Sequence, residues 1–503
     1  FRRVLFRSVA EAGFALNFSE EVNQFAKNLS EKIEANEIAK RKDYRNILTF
    51  TIDPVDAKDF DDAISFRNLP NGNTEIGVHI ADVSHFVQPN TAIDKEAYER
   101  ATSVYLPDRV YPMLPERISN ELCSLRPNED KLTFSACFEI DAKGKIVNTW
   151  YGKTIIHSVR RFTYEQVQEI IETQKGDHSN EILWLLHFTQ NVRKARFDNG
   201  AINFSSQEVR FVLDANGKPT GITIKESKES HQLIEELMLL ANQLIAQKMG
   251  QVKIKKETLP FPYRVHDQPN EEKLAPFIVF AKKHGYAFDI STPLQTAHSF
   301  NDLMKAAQQS PERHVLEQLG IRTMAKAVYT SDNIGHYGLG FEYYCHFTSP
   351  IRRYPDILVH RIVQSVLLEK PINDSELEQK CVHCSERERA AMEAERAANK
   401  YKQVEFMQNY IGQSFEGIIS GVSSFGFWVE TLEHKCEGLV SVVSLSEFDD
   451  FRLVESDYAL VGMRSGRKFS MGEKVTIKVI AANLEKRQLD YQWEIPKKPK
   501  STT

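Results

Sequence analysis

The chain has 503 residues, of which 41% are hydrophobic and 26% charged. That length exceeds what one hydrophobic core usually serves, so at least two domains are expected. No apolar run approaches the roughly 18 residues of a membrane span and no secretory signal is evident, which makes the cytoplasm the default compartment and a membrane partner unexpected. The net charge of −5 does not advertise a nucleic-acid binder, yet phosphate-dominated affinity needs only a local basic surface, so that class stays open.

In chain order, Phe1-Arg-Arg-Val-Leu-Phe-Arg-Ser8 lacks an initiator methionine and reads as the translation of a sequencing adapter, so residues 1–8 are set aside as non-native. Residues 9–43 are expected to form a linker helix. Within 18–43, Ser19 is the cap, Glu20 and Glu21 lie in the first turn, and Phe25, Leu29 and Ile33 recur near helical spacing. Ile47 to Ile52 reads as a buried strand, rich in β-branched and aromatic residues. Directly after it comes Asp53-Pro-Val-Asp-Ala-Lys-Asp-Phe-Asp-Asp62, which gathers Asp53, Asp59, Asp61 and Asp62 after a turn at Pro54. Two carboxylates about 4 Å apart repel by roughly 4 kcal/mol at an effective dielectric of 20. Four at one strand end would spread apart or take up protons unless cations neutralise them. Carboxylate and water ligands suit magnesium, which serves phosphodiester chemistry in two-metal sites; the alternative is a solvated acidic turn. Asp61 and Asp62 are adjacent, so both can face one cavity only from a turn.

Several further blocks follow: Gly77-Val-His-Ile-Ala-Asp-Val-Ser-His-Phe86, Ser103-Val-Tyr-Leu-Pro-Asp-Arg-Val-Tyr-Pro-Met-Leu-Pro115, Ile234-Glu-Glu-Leu-Met238 with Ala241-Asn242, and Gly335-His-Tyr-Gly-Leu339 leading into Phe347-Thr-Ser-Pro-Ile-Arg-Arg-Tyr-Pro-Asp356. Together with Thr51 to Ser65, and in this order, they resemble the signature blocks of the RNase II/RNase R (RNB) exoribonucleases, closer to the bacterial RNase R branch. The resemblance implies a mixed α/β catalytic domain over 44–372, which a charged helical segment over 373–412 completes. It also implies that cold-shock-type domains precede this chain, which would make it N-terminally truncated. The implied activity is processive hydrolysis of single-stranded RNA with a free 3′ end, in the 3′→5′ direction, releasing nucleoside 5′-monophosphates. The implied cofactor is Mg2+, with Mn2+ as substitute.

By the same resemblance, Asp53 and Asp62 hold magnesium directly, Asp59 supports the metal shell, and Asp61 is the acid that catalysis least tolerates losing. Arg352 is placed at the scissile phosphate, where a planar guanidinium can pair bidentately and stabilise developing charge. Arg353 is either a second phosphate contact or a salt-bridge partner. Tyr105 packs on the last base and Phe204 stacks further up the strand, while Tyr164 and Glu236 contact ribose hydroxyls, the groups that separate RNA from DNA. His79, Asp82 and His85 read as a buried hydrogen-bond network rather than metal ligands.

Gln232 to Met249 is a clear helix, and 374–410 a long charged one with Met392 and Phe406 expected inward. Of six cysteines only Cys381 and Cys384 form a C-x-x-C pair, and no second pair completes a zinc site. From Ser414 the texture turns to short β-runs, and residues 413–494 are expected to form a small all-β OB-fold barrel. Ser423-Ser-Phe-Gly-Phe-Trp428 resembles the ribosomal S1-type RNA-binding domain. Phe425 is the expected surface stacker, and spacing of two puts it on one face with Phe427. A basic tail, 495–503, closes the chain. Monomeric behaviour is expected, with the ribosome or RNA-decay factors as candidate partners. Competing classes are a catalytically inactive RNA-binding homologue and a different two-metal enzyme acting on DNA.

Overall fold

The computed structural model describes residues 9–204, 208–310 and 313–495; the first eight residues and most of the basic tail lie outside these. The central element is a seven-stranded sheet. In chain order the first nine strands are β1 (Lys42–Asp43), β2 (Leu48–Asp53), β3 (Asp62–Asn68), β4 (Thr74–Ala81), the hairpin β5 (Val104–Leu106) and β6 (Arg109–Tyr111), β7 (Asp130–Ile140), β8 (Ile146–His157) and β9 (Arg160–Thr163). The sheet order is β1-β8-β7-β4-β3-β2-β9, antiparallel through the middle, with parallel pairs at both edges. Strand β2 is buried on both faces, so Thr49 and Thr51, which alternate with its apolar residues, are buried as well. The Glu229–Gly250 helix packs across β4 and β7 and buries Leu233, Leu237, Leu244 and Ile245.

Inside the sheet, His79 bridges Ser65 and Ser135 at 2.8 and 2.6 Å. Gly77 makes room for this: a Cβ there would stand 2.4 Å from Ser65 Oγ and 2.5 Å from His79 Nε2. Burial pushes the His79 imidazole down to about 3, so it is neutral and serves the lattice. Asp82 accepts from Arg41 at 2.7 Å and Ser84 at 2.7 Å, and pairs with Lys153 at 3.0 Å. His85 approaches Glu37 at 3.6 Å. His79 and Asp82 thus form buried hydrogen-bond networks, as the sequence suggested, whereas His85 is only partly buried.

Several expectations need correction. The N-terminal helix spans only Glu20–Asn28, with Ser19 capping Val22 N–H. Leu29 turns extended (ψ 131°), so Ile33 lies outside it. In the 31-residue helix Leu377–Met407, Phe406 is buried but Met392 points to solvent. Cys381 and Cys384 are free thiols buried in that helix. Residues 271–323 fold apart from the sheet as three helices, Glu271–Lys283, Pro293–Ala306 and Arg313–Thr323, around their own core of Phe277, Phe288 and Phe300.

The C-terminal barrel closes through Ser414–Ser423, Gly426–Thr431, Glu437–Ser441, Gln488–Glu494 and Lys474–Asn483, in that neighbour order. A three-stranded sheet across Phe451–Ser470 is inserted into it, unforeseen by the sequence reading. Val404, Phe406 and Met407 of the long helix belong to the barrel's core, so the barrel and the helix share one interior.

Candidate active site

Strand β2 delivers Asp53 at its C-terminal end, and the chain returns antiparallel as β3 beginning at Asp62. The loop between is tied down at both sides. Ser124 Oγ accepts from Phe60 N–H at 3.0 Å and donates to the Lys58 carbonyl at 2.8 Å. Arg161, from neighbouring β9, donates to the Pro54 and Val55 carbonyls at 2.6 and 2.9 Å. Asp61 is the last loop residue, and its carbonyl accepts from Ala81 N–H at 2.8 Å, so it already runs alongside β4. The expected turn at Asp61–Asp62 is therefore a strand start. The two carboxylates feel each other and both feel Arg352, while Asp62 also lies near Asp53 and Tyr164, and Asp61 near Asp59 and Tyr105.

The second wall comes from residues 349–356. Asp61 Oδ1 accepts from Ile351 N–H at 3.0 Å, and Arg352 Nε lies 3.6 Å from Asp61 Oδ2. Arg352 Nη2 donates to Ser349 Oγ at 3.0 Å while the guanidinium stays partly open to solvent. Arg353 is committed elsewhere: it pairs with fully buried Asp356 at 2.8 Å, which resolves its two readings in favour of the salt bridge. Asp356 Oδ1 also accepts from Ser349 N–H at 2.7 Å, bracing the turn that carries Ile351 and Arg352. The sequence reading gave Asp356, Ser124 and Arg161 no role in the site, because nothing local marks residues whose work is to hold loops from afar.

Burial raises all four site carboxylates. Burial pushes Asp53 up to about 7, opposed by the Arg161 charge and aided by Asp59. Asp61 also reaches about 7, with Arg352 and the Ile351 amide pulling it down. Asp62 is raised further by Asp53 and Asp61, and Asp59 is raised by burial against the pull of Arg352. Asp53 Oδ2 is buried with no hydrogen-bond partner. Such carboxylates are unstable as anions without a cation, which fits a hard divalent ion. Among the described residues no three His, Cys, Asp or Glu groups converge as a ready-made cage.

Tyr105 is 40% exposed, on the hairpin whose preceding residue pairs with the Arg352 segment through Ser103 N–H to Arg352 O at 3.0 Å. Its backbone N–H donates to Glu395 Oε1 at 2.7 Å. Tyr164 begins the Tyr164–Thr173 helix, capped by Thr163, and stacks on His231 at 4.2 Å and 10°. Phe204 is half-buried in the helical cluster, edge-on to Phe300 at 5.7 Å. Glu236 is a correction. It is 1% exposed and holds Arg193 at 2.8 Å and Arg196 at 2.5 Å, so it is an internal ion pair closed to a ribose. In the barrel, Phe425 is 55% exposed and sits edge-on to Trp428 at 5.3 Å. Phe427, by contrast, is fully buried against Phe469. The two do not share a face, because strand alternation begins only at Gly426 (φ 153°), after the turn that bears Phe425.

Fold and site together describe a mixed α/β domain whose acid loop faces an arginine turn, followed by an OB-type barrel. Residues 41–369 match the family model described as RNB domain, and the chain belongs to that family. Its relatives include Ribonuclease R 1 of Lactococcus lactis, 39% identical over 500 residues, covering 96% of this chain and 60% of the relative. Ribonuclease R of Aquifex aeolicus is 37% identical over 487 residues, covering 95% and 68%. Among solved structures, Mycoplasma genitalium RNase R in complex with ribose methylated single-stranded RNA superposes with a TM-score of 0.90 at 27% identity, covering 97% of this chain and 77% of that one. The chain thus spans about 60% of the length of the first of these relatives.

Proposed function

We propose that this chain is a 3′→5′ exoribonuclease that hydrolyses single-stranded RNA processively to nucleoside 5′-monophosphates. The observation that carries the reading is the gathering of four burial-raised carboxylates around Arg352, which lies 3.6 Å from Asp61. A homologue that only held RNA would have no physical use for burying four acids side by side. Asp53 and Asp62 would hold a magnesium ion, with Asp59 supporting its shell, and the bound metal would supply charge stabilisation and an acidified water. Arg352, tethered to Ser349 and facing Asp61, orients the phosphate and meets the charge that grows on its oxygens. Tyr105 beside it offers an exposed ring to the 3′-terminal base, and Tyr164 lies on the Asp53–Asp62 side, within reach of a ribose. Phe425 on the barrel gives a base-stacking platform for the incoming strand.

Incubation with end-labelled RNA tests the reading. Magnesium or manganese should give a ladder of shortening products with mononucleotide release, and chelator should abolish it. Undiminished cleavage in chelator, or cleavage of DNA at equal rate, would refute it.

A further inference from the structure

A cavity of about 530 Å³ that the cleavage reading does not use lies between the turn around Gly335–Phe341 and the start of the Pro293–Ala306 helix. One wall is a set of near-parallel rings. His266 and His336 stand 5.1 Å apart at 19°, and His266 and Tyr337 stand 6.5 Å apart at 8°. Their polar atoms hold them in place: His266 Nδ1 accepts from Gly338 N–H and His336 Nδ1 from Leu339 N–H, each at 3.2 Å. The Tyr337 hydroxyl donates to the Pro293 carbonyl at 3.0 Å. With Nδ1 accepting, each neutral imidazole carries its proton on Nε2. Burial keeps both neutral, His336 being pushed down to about 3. The turn is seated closely at Gly340 (φ 69°), where a Cβ would lie 2.9 Å from Ala201 N.

The two ends of this region differ in charge. Among the described residues the first cavity's lining includes the carboxylates Asp267 and Glu342 but no lysine or arginine, so it suits a ring edge bearing N–H donors and repels a phosphate. A second cavity of about 1040 Å³ adjoins it, sharing Asp267, Gln268, Pro293 and Tyr337. That one adds Lys273 and Lys326 beside one further carboxylate, Glu271, together with the helix starts capped by Asn270 and Thr292. Cations and helix N-termini favour an anion there.

We propose that the paired cavities form a guanine-nucleotide site, with the base on the Tyr337–His266 shelf and the phosphate towards Lys273 and Lys326. Guanine presents two adjacent donors, N1–H and the exocyclic amine, to the two oxygens of a carboxylate. Adenine and the pyrimidines lack that pair of donors. The base comes either from an RNA strand outside the cleavage channel or from a free mononucleotide, and the inference does not depend on cleavage at the acid loop.

Calorimetric titration of the whole chain in chelator, with 5′-GMP, 5′-AMP and inorganic phosphate, is the test. GMP should bind, and AMP should bind about tenfold or more weakly. Tyr337→Leu should weaken GMP by about tenfold or more, while Tyr337→Phe, which keeps the ring, should stay within about threefold. Circular dichroism melting checks that each variant is folded. Arg352→Ala should leave GMP affinity unchanged, separating this site from the acid loop. A short guanosine-containing oligoribonucleotide distinguishes the sources: sensitivity of its affinity to Tyr337→Leu assigns the base to RNA, and insensitivity assigns it to the free nucleotide. Absence of GMP binding, or GMP binding that survives Tyr337→Leu but is lost in Arg352→Ala, overturns the proposal.

Discussion

Replacing Asp61 by Asn tests the electrostatics of the acid loop without requiring catalysis. Asn keeps the shape and still offers a carbonyl oxygen to Ile351 N–H, the 3.0 Å contact that joins the two walls of the site. It removes the titration. In the folded protein burial carries Asp61 from 3.8 to about 7. Because the folded value is raised, this group's stability contribution is complete below the unfolded value and is lost as pH climbs through 7. Near pH 8 a shift of this size costs the fold about 4 kcal/mol, against less than about 1 kcal/mol near pH 4. Relaxation of the loop makes the first figure an upper bound. In chelator at pH 8, Asp61→Asn should therefore unfold later than the parent, and the difference should shrink as pH falls towards 4. Magnesium should stabilise the parent and do less for the variant, since a ligand that binds only the folded state adds RT ln(1 + [L]/Kd). Cleavage by the variant should fall by orders of magnitude while RNA stays bound. Denaturant melts at two pH values, with and without magnesium, read the first part. A variant no more stable than its parent in chelator at pH 8, together with a parent indifferent to magnesium, would refute the account of a charge-starved site.

Other outcomes follow from the same geometry. Tyr105→Ala should leave end products a nucleotide or two longer, since losing one stack of about 1–3 kcal/mol lets short oligomers escape; product sizing on a gel checks this. Asp356→Ala strips buried Arg353 of its partner and should destabilise the chain by about 3–5 kcal/mol in denaturant titration. The residual folded enzyme should lose turnover more than affinity, because Ser349 to Arg352 loses its brace. Phe425→Ala should weaken binding of a long RNA but leave single-turnover cleavage of a short oligomer intact. Deleting the whole barrel is a harsher experiment, because it would strip cover from Val404, Phe406 and Met407.

The acid loop, the arginine turn and the barrel were legible in the sequence because each is a local pattern. A buried strand followed by clustered aspartates, a proline-marked Ser-Pro-Ile-Arg turn and evenly spaced β-runs all carry their meaning within a dozen residues. The bounds of the long helix and of the Glu229–Gly250 helix were close for the same reason: 3.6-residue periodicity is a property of the segment itself. What failed depended on partners far along the chain. Glu236 reads as a free acid until Arg193 and Arg196, on the preceding helix, fold against it. Phe425 and Phe427 look equivalent until the turn at Gly426 sets where alternation begins. The acid loop meets an arginine only because Ile351 and Arg352, some three hundred residues onward, close over Asp61. Sequence supplies the chemical groups and their local geometry. Which groups are desolvated, paired or left open is a matter of long-range packing, and that only the tertiary structure decides.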